Sequence, residues 1–359
     1  MICIPFLFAS LVAMGCGEEP CDFKPPTLLV GSKAPALSIE AFVKGTPIWS
    51  LEPGKIHVVE FWATWCPPCI RSIPHLSELQ ARYRNGSVTI IAVAASERGS
   101  DPAQRLGAVK DFVAERGERM AYTVGFDADR SMHKNWMEPA RQTGIPTAFV
   151  VDRNGIIAWI GHPLEMDAPL AQIVAGTWDL KAATAKFQRD VEAEAKAAPL
   201  LGELSRAMKV ENWSKALERL DAVLALGSDQ FDYLRGDKFR LLLTRMDRPV
   251  AAYEYARETM ASTPARADVL NAIAWAIVDP SAKVEKRDLD LALQAAEGAN
   301  RIAQDREPSY LDTLARVHAT KGDFSRAVEL QTRAVNLLTG DDRAPYEKTL
   351  AEYKAKKDG

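Results

Sequence analysis

The chain has 359 residues, of which 47% are hydrophobic and 26% charged, with a formal net charge of −3. This is ordinary globular composition and enough length for two domains. There is no basic surplus to attract nucleic acid and no polybasic run for a membrane surface.

Residues 2–14 are nearly all apolar and lead into Gly15-Cys16-Gly17-Glu18-Glu19. The run is too short to span a bilayer but fits the apolar core of an export signal. Residues 1–16 therefore read as a signal peptide and 17–27 as a tether. Gly31-Ser32-Lys33-Ala34-Pro35 opens a first domain, with short strands expected at 37–39 and 47–49. Ile56, Val58, Val59, Phe61 and Trp62 form an apolar run that reads as a buried strand. Ile70, Ile73, Leu76, Leu79 and Tyr83 recur at helical spacing. Residues 88–95 predict a second strand, 106–116 a helix, 121–126 a short strand and 132–141 a helix. Trp136, Met137 and Glu138, before the Pro146 loop, read as a solvent-facing helix, with bordering the site as the alternative. Residues 147–151 and 156–160 flank Asp152-Arg153-Asn154-Gly155, a hairpin turn in which Asn-Gly supplies positive-φ positions. A helix at 170–176 closes the domain. Alternating strands and helices with a final hairpin imply an α/β fold, a mixed sheet covered by helices.

From about residue 180 no further strand signal appears, and residues 179–198 read as a helical connector. Residues 199–356 are expected to be all-α, built from recurring helix pairs. Asn212-Trp213-Ser214-Lys215-Ala216, Asp288-Leu289-Asp290-Leu291-Ala292 and Asp323-Phe324-Ser325-Arg326-Ala327 each begin a second helix after a tight turn. Ala292 and Ala327 lie 35 residues apart, near the 34-residue period of a tetratricopeptide repeat. Small residues at such positions let paired helices approach, and neighbouring repeats cover each other's apolar faces. Four units are expected, the second, near 231–262, degenerate.

The chemistry concentrates at Trp65-Cys66-Pro67-Pro68-Cys69, where the buried strand ends and the first helix begins. A thiol at a helix N-terminus feels its partial positive charge, which favours thiolate. Two intervening residues bring the sulfurs within bonding reach in one turn. This is the design of a dithiol/disulfide exchanger. The other cysteines are Cys3, Cys16 and Cys21, and none follows Cys69, so the folded body has no disulfide framework beyond the motif. A zinc half-site would need two more ligands. No second Cys pair exists in the folded body, and His57, His75, His133, His162 and His318 show no metal-ligand spacing. Those histidines read as surface or hydrogen-bonded residues, and no metal or bound cofactor is expected beyond a redox-active Cys66–Cys69 disulfide.

The stretch Val58-Val59-Glu60-Phe61-Trp62-Ala63-Thr64-Trp65-Cys66-Pro67-Pro68-Cys69, together with Thr143-Gly144-Ile145-Pro146-Thr147-Ala148-Phe149-Val150-Val151-Asp152, resembles the thioredoxin superfamily. It is most similar to the exported TlpA/ResA-like redoxins, over residues 28–178. The resemblance implies a thioredoxin-like mixed sheet with flanking helices, followed here by the tetratricopeptide-like region. It makes Cys66 the nucleophile and Cys69 the resolving thiol. It makes Glu60 a buried proton acceptor whose pKa desolvation raises. It makes Pro146 the cis-proline beside the dithiol, with Ile145 offering its backbone to an extended substrate. Trp65, Pro67 and Pro68 would border the substrate, and Trp62 reads either as a shield for the dithiol or as core packing. The long separation of Pro146 from Cys66 implies an inserted helix and strand within about 95–120. Gly15-Cys16 resembles a bacterial lipoprotein cleavage site, implying lipidation at Cys16 and a membrane-anchored, periplasmic or outer-surface location.

The leading expectation is an exported thiol–disulfide oxidoreductase of reducing type. Its clients would be protein thiols and disulfides, and its electrons would come from a membrane-embedded dithiol donor. A peroxiredoxin-like peroxidase shares the fold but wants Thr three residues before its Cys and Pro before that; here stand Ala63 and Val59. A third reading is a partner-binding protein, in which the repeats recruit a peptide or protein and the redox domain is secondary.

Overall fold

The computed structural model describes residues 23–83, 87–262, 266–338 and 340–358. The expected signal peptide, Cys16 and Cys21 lie outside the described residues. Two compact units divide between Ala195 and Lys196.

The first unit is built on a six-stranded sheet of β1 (Ala41–Lys44), β2 (Ile56–Trp62), β3 (Val88–Ala94), β4 (Thr123–Phe126), β5 (Thr147–Val151) and β6 (Ile157–Gly161). The order is β1-β4-β3-β2-β5-β6. β2 runs parallel to β3 and antiparallel to β5, so the sheet is mixed and β2 is central. Every residue of β2 is buried, which explains a near-continuous apolar run with no alternation. Period two still divides it. Ile56, Val58 and Trp62 join one core with Leu76, Leu79, Val109, Val113 and Leu170. Those partners come from α1 (Pro67–Arg82), α2 (Pro102–Arg116) and α3 (Asp167–Ala175). Val59 and Phe61 join the opposite core with Leu28, Ile39, Ile48 and Trp136.

Several local expectations change. The first strand is Ala41–Lys44, not 37–39 or 47–49. Ile39 and Ile48 are buried there without belonging to a ladder, because an apolar side chain needs a core and not a strand. Trp136 and Met137 do not face solvent. They lie on a single π-helical turn, His133–Met137, and both are buried. Trp136 donates its Nε1–H to the Ala36 carbonyl at 3.3 Å and meets Phe149 edge-on at 5.4 Å. Glu138 alone of the three is exposed. In the hairpin only Gly155 adopts positive φ, at 76°. The Asp152 carboxylate accepts from the Asn154 and Ile156 amides, so the turn is held by its first residue.

Residues at the end of the expected tether are fastened down. The Thr27 and Leu28 amides both donate to the Pro139 carbonyl, at 2.8 and 3.0 Å. Arg141 donates to the Lys24 carbonyl at 2.6 Å and lies 4.1 Å from the Phe23 ring centroid.

A 30-residue helix, α4 (Leu180–Lys209), covers the expected connector and passes the division. After it come α5 (Trp213–Leu224), α6 (Leu234–Arg240), α7 (Pro249–Ser262), α8 (Ala267–Val278), α9 (Leu289–Ile302), α10 (Pro308–Thr320), α11 (Phe324–Asn336) and α12 (Ala344–Asp358). The three sequence-predicted helix starts are all N-caps. Asn212, Asp288 and Asp323 accept from the amides of Lys215, Leu291 and Arg326 at 3.0–3.1 Å. Such a bond satisfies a first-turn amide that the helix itself leaves unpaired. The alanine four residues after each cap, Ala216, Ala292 and Ala327, is fully buried, as close helix approach requires. Phe239, Ile273, Ala292, Leu311 and Leu330 share one core. No helix among the described residues is long and apolar enough to cross a membrane.

Candidate active site

The site lies where β2 hands over to α1. Cys66 is the N-cap of α1, in extended conformation with φ −97° and ψ 102°. Its Sγ accepts from the Cys69 amide at 3.2 Å. Pro67 and Pro68 occupy the first helical positions; having no N–H, they leave nothing unpaired there and preset the helical φ. Cys66 and Cys69 form a disulfide, the only one among the described residues. Cys66 is 3% exposed and Cys69 1%. In this oxidised form both residues are buried. Ser72, buried one turn on, donates its hydroxyl to the Cys69 carbonyl at 2.7 Å.

The loop before β5 supplies the opposite wall. The Ile145–Pro146 peptide is cis. The Ile145 carbonyl lies 3.6 Å from Cys66 Sγ, and Thr147 Oγ1 holds the turn by donating to the Gly144 carbonyl at 2.8 Å. Residues far apart in the sequence thus meet at the dithiol because β5 pairs with β2, Thr147 standing opposite Phe61.

Glu60 shares the β2 face of Val58 and Trp62, which belong to the same core as Cys66 and Cys69. Its cross-strand neighbours are two alanines, Ala92 and Ala148, which leave room for a longer side chain. Glu60 is 2% exposed. Burial raises its pKa to about 8, with no opposing charge acting against the shift. A carboxyl with that value takes and returns a proton near neutrality. Tyr122 lies close by: burial first, and the Glu60 carboxyl second, push its phenol well above the ordinary value. Trp62 sits in this core too, its ring 5.3 Å from Phe112, so it packs in the core that the dithiol joins.

The outer rim is organised by a segment that sequence reasoning passed over. The Thr64 amide and hydroxyl donate to the two oxygens of Glu97, at 2.6 and 2.8 Å. Trp65, 39% exposed, donates its Nε1–H to the Ser96 carbonyl at 3.0 Å. The Arg98 guanidinium lies over its ring at 4.0 Å. One signal could have found residues 96–98. They follow β3, and β3 runs parallel to β2, so the residues after the two strands emerge side by side at the carboxyl edge where α/β sheets place their sites.

No cluster able to hold a metal ion occurs among the described residues. Each of the five histidines has a nearby partner. His57 accepts from the Glu52 amide and His162 from the Leu164 amide. His75, His133 and His318 lie beside Asp167, Glu138 and Asp323.

A capped sulfur at a helix start, a cis-proline wall and a buried carboxyl behind them define a thioredoxin-like disulfide exchanger. The Redoxin family model matches residues 29–168. Protein FixW of Rhizobium leguminosarum is 27% identical over 56% of this chain and 93% of that protein. Thiol:disulfide interchange protein HelX of Rhodobacter capsulatus is 35% identical over 43% of this chain and 82% of its own length. A solved thiol-disulfide isomerase from Corynebacterium glutamicum is 22% identical, with TM-score 0.33, over 41% of this chain and 97% of that one. The chain belongs to the redoxin family of thiol–disulfide oxidoreductases.

Proposed function

We propose that the protein is an exported reductant of protein disulfides, with Cys66 as nucleophile and Cys69 as resolving thiol. The observation that carries this reading is Glu60: a carboxyl with pKa about 8, on the β2 face whose Val58 and Trp62 share a core with Cys66 and Cys69. The Cys66 thiolate attacks one sulfur of a client disulfide. A Cys66–client bond forms, the client bond breaks, and one client thiolate leaves. Cys69 then gives its proton to the Glu60 carboxylate and attacks Cys66 Sγ. The second client thiolate leaves, the Cys66–Cys69 disulfide forms, and two electrons have passed to the client. Trp65, Pro67 and Pro68 border the client, and the Ile145 backbone at cis-Pro146 pairs with its extended chain.

No bound cofactor enters this cycle. A membrane-embedded dithiol donor re-reduces the pair from outside. Export follows from the apolar residues 2–14, and lipidation of Cys16 anchors the chain to a membrane. The printed name of HelX, a thiol:disulfide interchange protein, supports protein thiols as clients. The capped helix pairs support a tetratricopeptide-like array over 199–356 that recruits a peptide or protein partner.

The test is the reduction potential of the Cys66–Cys69 couple. A value near that of thioredoxin, about −270 mV, is expected; a value near about −120 mV overturns the reductant in favour of an oxidant.

A further inference from the structure

We propose that Arg98, seated on Trp65 beside the dithiol, selects client disulfides flanked by an acidic residue. The inference rests on the exchange reading above and deepens it. Cys66 is nearly covered, whereas its neighbour Trp65 is the large exposed apolar side chain of the motif. A client sulfur that reaches Cys66 therefore brings its flanking residues over the Trp65 lip.

Two consecutive residues give that lip its charge. Glu97 turns inward, both its oxygens accepting from Thr64. Arg98 turns outward and is exposed, its guanidinium over the indole face at 4.0 Å. The indole is itself held by the bond from Nε1 to the Ser96 carbonyl. A guanidinium stacked by its face leaves its N–H rim free, and that rim matches a carboxylate with two parallel hydrogen bonds. Stacking on the aromatic ring also orders the arginine before the client arrives, so less side-chain freedom is lost on binding. The acids nearest in sequence have other partners: Glu97 binds Thr64, and Asp101 accepts from the Ala103 amide at the start of α2. Arg98 thus offers a preformed carboxylate receptor on the ring of Trp65, the residue that precedes the nucleophile.

The experiment uses the reduced full chain and three disulfide peptides that differ at one position beside the target cysteine: Glu, Gln or Lys. Exchange rates are followed by chromatography of the released thiol. The Glu peptide is expected to react about two- to five-fold faster than the Gln peptide, the range for an exposed ion pair, and the Lys peptide slowest. Arg98→Gln should bring the three rates together, Arg98→Glu should reverse their order, and about 0.5 M salt should shrink the wild-type spread. Equal rates in the wild type overturn the inference, as does a charge preference that survives in both variants. Equal slowing of all three peptides in the variants also overturns it, because that is what a merely structural support for Trp65 would do. If the wild type reacts with none of the peptides, the exchange reading falls and this inference falls with it. Brisk exchange without charge preference removes this inference alone.

Discussion

Glu60 of the redoxin unit and two half-buried carboxyls of the helical unit, Asp237 and Asp312, are handled in opposite ways. In the helical unit Asp237 lies 2.6 Å from Arg240. Burial lifts its pKa, and the guanidinium pulls it back. Asp312 is handled alike: Gln331 donates to it at 2.8 Å, and Arg316 offsets part of its desolvation. Glu60 in the redoxin unit has only the desolvation. A buried acid with a partner holds structure together. One whose charge is left uncompensated destabilises the fold at alkaline pH and provides a proton acceptor in return. The units also differ in how they assemble. β2 takes its neighbours from distant parts of the chain, β3 and β5, whereas in the helical unit α9, α10 and α11 begin at local caps and share one core.

The comparison breaks first at the sulfurs. Cys66→Ser should reduce disulfide turnover to background, while Cys69→Ser should accumulate mixed disulfides through Cys66, seen as adducts on non-reducing gels. Adducts at neither site would end the exchange reading.

Glu60→Gln tests the uncompensated carboxyl. The folded pKa, about 8, is above the ordinary value of 4.5. The folded state therefore holds a proton that the unfolded chain has released. Stability from this group is fully present below about pH 4.5 and is lost as pH rises through 8, by at most about 5 kcal/mol. Denaturant midpoints of the oxidised protein from pH 5 to 9 should fall more steeply in the wild type than in the variant. Parallel curves would place Glu60 in contact with water. In the helical unit, Leu311→Ala, at a fully buried position, should cost about 2–5 kcal/mol at every pH, since no proton is linked to it. The smallest effect is at the caps: Asp323→Ala removes the bond to the Arg326 amide and should cost about 1 kcal/mol, measurable as a shift in thermal midpoint.

Much of this was legible in the chain. The apolar run 56–62, the dithiol and the Pro146 loop are local patterns, and the structure places them together. The three caps were legible for the same reason: a polar residue before an apolar stripe is local chemistry. Trp136 and Met137 were misjudged because consecutive apolar residues have no helical period. The π turn that buries both exists only once Phe149 and the segment near Ala36 close over it. The first strand was misplaced because Ile39 and Ile48 look like strand residues, though burial alone accounts for them.

By itself the sequence determined the reactive pair, the α/β order and the helical remainder, since each is written in residue types and short spacings. The tertiary structure decided what those residues can do. Pairing of β2 with β5 sets the Ile145 carbonyl against Cys66, and the parallel β2–β3 pair sets Arg98 over Trp65. Closure of α1 and α2 over one sheet face is what raises Glu60, because desolvation belongs to the packing around a carboxyl and not to the carboxyl itself.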